Sequence, residues 1–452
     1  MNIYILVLLV PFMYLQVTIL QNYFFCDQQH TEVNRSKPLF ENLIVTDVTT
    51  TSDQRDISEQ WGNADLDVLQ KLHTALKSQL SKVNGSPKII EKESSQQYNL
   101  SESEIQNSVH AALAFKSSGK AEKALKIIEH AAAIAPNNPD ILNYYGEILE
   151  ITEKDVITAD QLYFKALTHC PGHEGALMNR QRTAHVVEQL DLQILRTIDE
   201  KRDVLKNIPD SDSVFQKFKK QAYYLHIYHT VGIEGNTMSV EQLRYLLETG
   251  KAVFGKSIIE HNEILGLQLA MKYVKLLTRL EKIQIKEILG IHRRVMGHVD
   301  PISSGYFRDT QVYVGSHKPP SPARVEPLME EFIEWLNSEE AASMHPVRYA
   351  ALAHYKLVDI HPFTDGNGRT SRLLMNLILI RAGYPPVIIL KEHRRQYYDF
   401  LTIANKGDVR PFVRFIAQCT EQVLDLYLWG AQKYSAIPNI EDLSAQTISV
   451  DY

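Results

Sequence analysis

Between about residues 213 and 430, apolar residues return at helical spacing in long runs parted by short turns, and β-branched alternation is scarce. That periodicity restricts the region to an all-α domain. One stretch departs from it. TQVYVGSHKPP, residues 310–320, alternates around Val312 and Val314 and then runs into glycine and proline, which predicts a short hairpin or edge strand. A lone strand pair in a helical domain invites a functional reading of that pair.

Within the helical domain, HPFTDGNGRTSR (361–372) concentrates groups that suit no core element. PVRYAALAHYKLV (346–358) precedes it at helical spacing. TSRLLMNLILIRA follows as an apolar helix, with Gly383 placed to cap it and Pro385–Pro386 beyond. DGNG is therefore a loop that opens directly into a helix N-terminus. Its glycines let successive N–H groups turn toward one point, and the helix dipole adds positive potential there, so the loop makes an anion cradle. Arg369 and Arg372, spaced i and i+3, can grip further phosphate oxygens. Asp365 opposes a purely cationic pocket unless a cation bridges it to the anion, and Mg²⁺ held by one carboxylate plus phosphates has that form. His361 ends the preceding helix with a pKa suited to taking a proton from a hydroxyl. By itself DGNG reads as an ordinary turn beside a solvated arginine face. The whole set reads as chemistry at a nucleotide phosphate. A metal hydrolase does not fit, since His361 and Asp365 have no further ligand set nearby.

The rest of the chain supplies context. Its 452 residues exceed one compact unit, and two or three domains with linkers are expected. A net charge of -6 leaves no electrostatic footprint for nucleic acid, so no nucleic-acid partner is expected. Cys26, Cys170 and Cys419 lie far apart and encode neither a disulfide framework nor a zinc site. Residues 3–20 are uncharged and mostly apolar, which predicts a transmembrane anchor over 1–26, with Tyr23, Phe24 and Phe25 at the interface. A cleaved signal peptide competes with that reading, but no basic residue precedes the apolar run and no clear cleavage site follows it. Arg35 and Lys37 favour a cytosolic C-terminal part, whereas the sequons at Asn34, Asn84 and Asn99 favour a lumenal one. From residues alone the orientation stays open.

Residues 27–100 form a polar linker, in which Leu66, Leu69, Leu72, Leu76 and Leu80 mark one amphipathic helix. Over 101–173 an internal repeat follows. Ala124, Ile128, Ala131 and Pro136 are matched 35 residues later by Ala159, Tyr163, Ala166 and Pro171, with Gly146 at a close helix contact. The pattern resembles a pair of tetratricopeptide repeats, with a generic helical hairpin array as the alternative. Residues 174–212 then read as a linker helix into the 213–430 domain, and 431–452 as a tail.

HPFTDGNGRTSR matches the signature HPFxDGNGRxxR of the Fic family at every fixed position, and the resemblance runs over roughly 215–430. With the repeats and the anchor, the whole chain resembles the metazoan endoplasmic-reticulum members of that family. The resemblance implies transfer of AMP from ATP, with Mg²⁺ or Mn²⁺, to a hydroxyl of the lumenal chaperone BiP. It implies His361 as base, Asp365 as metal ligand, and Gly366, Asn367, Gly368, Thr370 and Ser371 around the phosphates clamped by Arg369 and Arg372. Val314, Gly315, Ser316 and His317 correspond to a flap that aligns the target segment, and Tyr397, Tyr398 and Asn405 fall where the family binds the nucleoside. It also implies a type II anchor in the endoplasmic-reticulum membrane with a lumenal catalytic part, and a homodimer through the Fic domain. Ile258, Ile259 and Leu265 could serve that contact, and are equally good core residues.

A second run, TVGIEGN (230–236), is similar to the family's inhibitory pattern. Thr230 and Glu234 share a helix face, and Gly235 and Asn236 are helix terminators. The resemblance implies that Glu234 pairs with Arg372 and restrains transfer, and that the same carboxylate supports hydrolytic removal of AMP. Two rivals remain on sequence alone: a tethered repeat adaptor with an inactive Fic domain, and a Fic enzyme that transfers another nucleotide.

Overall fold

A computed structural model describes residue 74 and residues 102–209, 213–315 and 317–431. The expected anchor, nearly all of the polar linker, Ser316 and the C-terminal tail lie outside the described residues. Among those described, no helix is long and apolar enough to cross a membrane.

The first helices follow one another as packed neighbours: α1 (Glu102–Ser117), α2 (Ala121–Ile134), α3 (Pro139–Thr152) and α4 (Val156–His169). The repeat positions explain the packing. Ala124, Ile128 and Ala131 on α2, and Ala159, Tyr163 and Ala166 on α4, are all buried. Pro136 and Pro171 stand two residues beyond the ends of α2 and α4, where a missing N–H stops the helix. At Gly146 a β-carbon would lie 2.5 Å from the Tyr163 ring, so only glycine permits the contact between α3 and α4.

The long helix α5 (Glu174–Lys206) joins this array to the rest. Ala176 packs into the repeat core, whereas Leu195 and Ile198 belong to the second core. Ion pairs reinforce the join. Arg414 grips Asp191 at 2.6 Å, Lys201 reaches Glu421 and Asp425 at 2.8 and 2.7 Å, and Arg410 reaches the buried Asp160 of α4 at 2.6 Å.

The second core is helical, as the periodicity predicts: α6 (Ser213–Ile233), α7 (Val240–Thr249), α8 (Ile258–Leu277), α9 (Ile285–Met296), α10 (Pro322–Leu336), α11 (Glu339–Ser343), α12 (Pro346–Ile360), α13 (Asn367–Arg381), α14 (Arg394–Asn405) and α15 (Arg410–Ala431). Helix α13 sits at its centre, packed on α6, α8, α9 and α12, with Leu373, Leu374, Met375, Leu377 and Leu379 buried. Gly383 follows α13 in the left-handed conformation, as its expected cap should.

The expected β-hairpin is a correction. Among the described residues no strand forms, and the flap segment holds one antiparallel bridge, Val314 to His317, around the left-handed Gly315. Side chains take the carbonyls that a ladder would use: Arg308 bonds those of Thr310 and Pro320, and Gln311 those of Val312 and Pro319. Pro319 and Pro320 have no N–H to donate in return.

Candidate functional site

Helices α12 and α13 and the loop between them build the site. His361 caps α12 with φ 50°, a left-handed conformation that costs a non-glycine residue about 1 kcal/mol. Its Nδ1 lies 3.2 Å from the Val358 carbonyl, which can only accept, so Nδ1 carries the proton and Nε2 presents a lone pair. Burial pushes the imidazole pKa below its ordinary 6.5, partly offset by that hydrogen bond. The neutral, proton-accepting form is thus held at neutral pH.

Asn367 holds the loop shut. Its side-chain oxygen accepts from the Phe363 N–H at 3.0 Å, and its amide donates to the Phe363 carbonyl at 2.9 Å. This pair of bonds fixes the loop where it opens into α13. Gly366, at φ 74°, opens the helix. A β-carbon there would meet Met296 at 2.8 Å. Thr370 and Ser371 are fully buried one turn into α13.

The two arginines face different partners. Arg369 bonds Asp365 at 3.0 Å and Glu263 at 3.4 Å. Arg372 is 2% exposed, and its NH2 group donates to Glu234 Oε1 at 2.5 Å and to the Thr230 carbonyl at 3.1 Å. Burial opposes the Arg372 charge, yet Glu234 beside it raises the guanidinium pKa above its ordinary value. Among the described residues, Nε and NH1 of Arg372 have no hydrogen-bond partner. Such orphaned donors suit an anion. Helix α6 ends at Ile233, so Glu234 is presented from the following turn, where Gly235 adopts φ 108°. Its carboxylate lies over the N-terminus of α13: a β-carbon on Gly368 would stand 2.9 Å from Glu234 Oε1 and 3.1 Å from Arg372 NH1.

Asp365 fits the implied Mg²⁺. Its carboxylate is fixed by the Gly366 N–H at 2.6 Å and by Arg369, yet stays 68% exposed at the mouth of the cradle. Among the described residues no cluster of three metal-ligating side chains exists.

The nucleoside candidates separate. Tyr397 is buried, with its hydroxyl 2.9 Å from His354 Nε2 and Arg372 over its ring at 5.9 Å, so it forms the wall behind the clamp. Tyr398 is half-buried, and its pKa is raised by burial and by Glu234. Asn405 is exposed at the end of α14. On the flap, His317 Nε2 lies 3.4 Å from Asp359.

Three supporting residues escaped the sequence reading. Glu263 of α8 bonds Asn236 at 2.9 Å as well as Arg369, and so ties the turn carrying Glu234 to the cradle. Burial raises its pKa. His292 of α9 stacks on Phe363 at 3.6 Å, accepts from the Gly305 N–H at 2.9 Å, and lies 3.0 Å from the Asp365 carbonyl. Burial lowers its pKa to about 4, so it serves as a neutral strut. Arg308 bonds the His361 carbonyl at 2.7 Å. None of the three belongs to a local motif: Glu263 and His292 read in sequence as polar positions on amphipathic helices, and Arg308 as a charge in the connection between α9 and α10.

The Fic/DOC family matches residues 282–379. The chain is 55% identical to the protein adenylyltransferase Fic of Aedes aegypti over 354 residues, 78% of this chain and 70% of the relative. It is 57% identical to that of Culex quinquefasciatus over 336 residues, 74% of this chain and 67% of the relative. Among solved structures it is similar to a segment of Fic-1 from C. elegans. The TM-score is 0.68 at 44% identity, with 74% of this chain and 99% of that chain covered.

Proposed function

The chain belongs to the Fic/DOC family, and from that premise we propose that it transfers AMP from ATP to a Ser or Thr hydroxyl of the lumenal chaperone BiP and also removes it. In transfer, the hydroxyl oxygen attacks the α-phosphorus, the bond to the β-phosphate bridging oxygen breaks, and pyrophosphate leaves. His361 Nε2 takes the hydroxyl proton. The α13 amides, Arg369 and Arg372 hold the phosphates, while Tyr398 and Asn405 border the nucleoside. Asp365 would hold Mg²⁺, which supplies positive charge against the phosphates when bound. In removal, water positioned by Glu234 attacks the phosphorus of the phosphodiester, the bond to the acceptor oxygen breaks and that oxygen takes up a proton, and AMP and the free hydroxyl are released.

One observation carries the regulatory part of this reading. Glu234 engages Arg372 at 2.5 Å directly over Gly368, in the space an outer phosphate would need. Transfer is therefore restrained while that pair holds, and the resting chain works chiefly in removal. The intact His361, Asp365, Arg369 and Arg372 argue against an inactive adaptor. The names of the insect relatives support AMP as the transferred group.

The remaining parts of the proposal concern setting. Residues 1–26 anchor the chain in the endoplasmic-reticulum membrane with the catalytic part lumenal, in keeping with the three sequons. The tetratricopeptide-like helices recognise the chaperone. A homodimer forms through the Fic domain, where Ile258 and Ile259 are 78% and 60% exposed and Leu265 is half-buried. The test of the enzymatic reading uses α-labelled ATP and purified BiP in both reaction directions, with wild type and Glu234→Gly. The variant is expected to gain AMP transfer and to lose AMP removal. No gain in transfer would overturn the reading.

A further inference from the structure

Arg308 is 4% exposed and has no carboxylate partner among the described residues. A buried guanidinium without a counter-charge needs another compensation. Here every compensating bond goes to main-chain carbonyls. Nε donates to His361 at 2.7 Å, NH1 to Thr310 at 2.9 Å and NH2 to Pro320 at 2.5 Å, while the Arg308 N–H donates to Pro362 at 2.9 Å. One planar fork therefore joins three places: the residue that carries the base, the chain entering the flap, and the chain leaving it.

Geometry gives this junction its consequence. The flap has a single bridge of its own, between Val314 and His317, so its position is not fixed by a sheet. His361, for its part, sits in a left-handed conformation that turns its carbonyl out of helix α12. Arg308 satisfies that carbonyl and both flap arms at once. Guanidinium planarity fixes the angles among them, which a lysine ammonium cannot do.

We propose that Arg308 is a positioning residue for the protein acceptor: it sets the register of the flap against His361, so that a hydroxyl aligned along the flap arrives at Nε2. This rests on the transferase reading given above. Arg308 touches neither the cradle amides nor Arg369 or Arg372 through any of its hydrogen bonds. Its loss therefore falls on delivery of the acceptor and leaves nucleotide binding in place. A displacement of about 1 Å at a reacting centre is enough to cost ~100-fold in rate.

The test places Arg308→Lys in the Glu234→Gly background and makes three measurements. ATP affinity, read by calorimetry, is expected to stay within about twofold of the parent, because the phosphate contacts remain. With α-labelled ATP, kcat/KM for BiP is expected to fall ~100-fold while the KM for ATP holds. Amide hydrogen exchange is expected to accelerate at Val314 and His317 and to stay unchanged along α13. The idea is overturned if flap exchange does not change, a result readable even in a chain that transfers nothing. It is equally overturned if ATP binding is lost together with transfer, since Arg308 would then support the fold as a whole. Absence of transfer from Glu234→Gly with Arg308 intact would instead count against the transferase reading, leaving the exchange measurement to judge Arg308.

Discussion

Replacing Glu234 by Gln tests whether charge or bulk restrains the site. Arg372 is 2% exposed, and its NH2 group makes both of its hydrogen bonds, to Glu234 at 2.5 Å and to the Thr230 carbonyl at 3.1 Å. Glutamine keeps the shape and an acceptor oxygen but removes the counter-charge. An acceptor that carries its own charge is worth about 1 kcal/mol more than a neutral one. Glycine removes the contact entirely, a loss of about 1.5–3 kcal/mol. If that energy is what an outer phosphate must displace, initial rates of AMP transfer should rise ~5-fold for Glu234→Gln and ~10- to 150-fold for Glu234→Gly. Stability should move the other way. The ligand-free Glu234→Gly chain leaves a buried guanidinium uncompensated and loses up to about 3 kcal/mol. Saturating ATP should recover part of that loss, as phosphate takes the place of the carboxylate. The assay combines α-labelled ATP with thermal unfolding in the presence and absence of nucleotide. A glutamine variant equal to wild type beside a fast glycine variant would refute the electrostatic argument and leave occupancy by the side chain as the restraint. Equal rates in all three would refute the restraint itself.

Two further outcomes follow from the same geometry. Gly368→Ala places a β-carbon 2.9 Å from Glu234 Oε1 and 3.1 Å from Arg372 NH1, an overpacking worth about 1–3 kcal/mol. Thermal unfolding of the ligand-free chain should show that loss, and Gly368→Ala combined with Glu234→Gly should cost less than the sum of the two single losses, because the carboxylate is the nearer group the methyl meets. The pH dependence of kcat/KM in the Glu234→Gly background should follow His361 of the free enzyme. Its pKa is lowered by burial, and only the neutral ring accepts a proton, so the rate should stay level above 6.5 and fall as pH drops through a value beneath it. An acid limb centred at or above the ordinary imidazole value would contradict the assignment of His361.

What was legible in the sequence was whatever local chemistry decides. Helix α13 announced itself because Gly366, Gly368 and Gly383 mark its ends while its apolar residues need no partner to be recognised as core. The repeat was legible for the same reason: Gly146 and the small residues of α2 and α4 encode the close approach directly. Where distant groups compete for the same backbone atoms, the sequence reading went astray. Alternation around Val312 argued for a hairpin, but Arg308 and Gln311 claim the carbonyls a second strand would bond. Arg372 pairs with Glu234 as the resemblance implied, whereas Glu263, 106 residues before Arg369, takes that second arginine with no motif to announce it. Glu263 bonds both Asn236 and Arg369, so the turn that presents Glu234 is built against the cradle itself. A motif can therefore name the reacting groups, but it cannot say which of them are free. For Arg369 that depends on Glu263, whose own sequence context looks like an ordinary helix face.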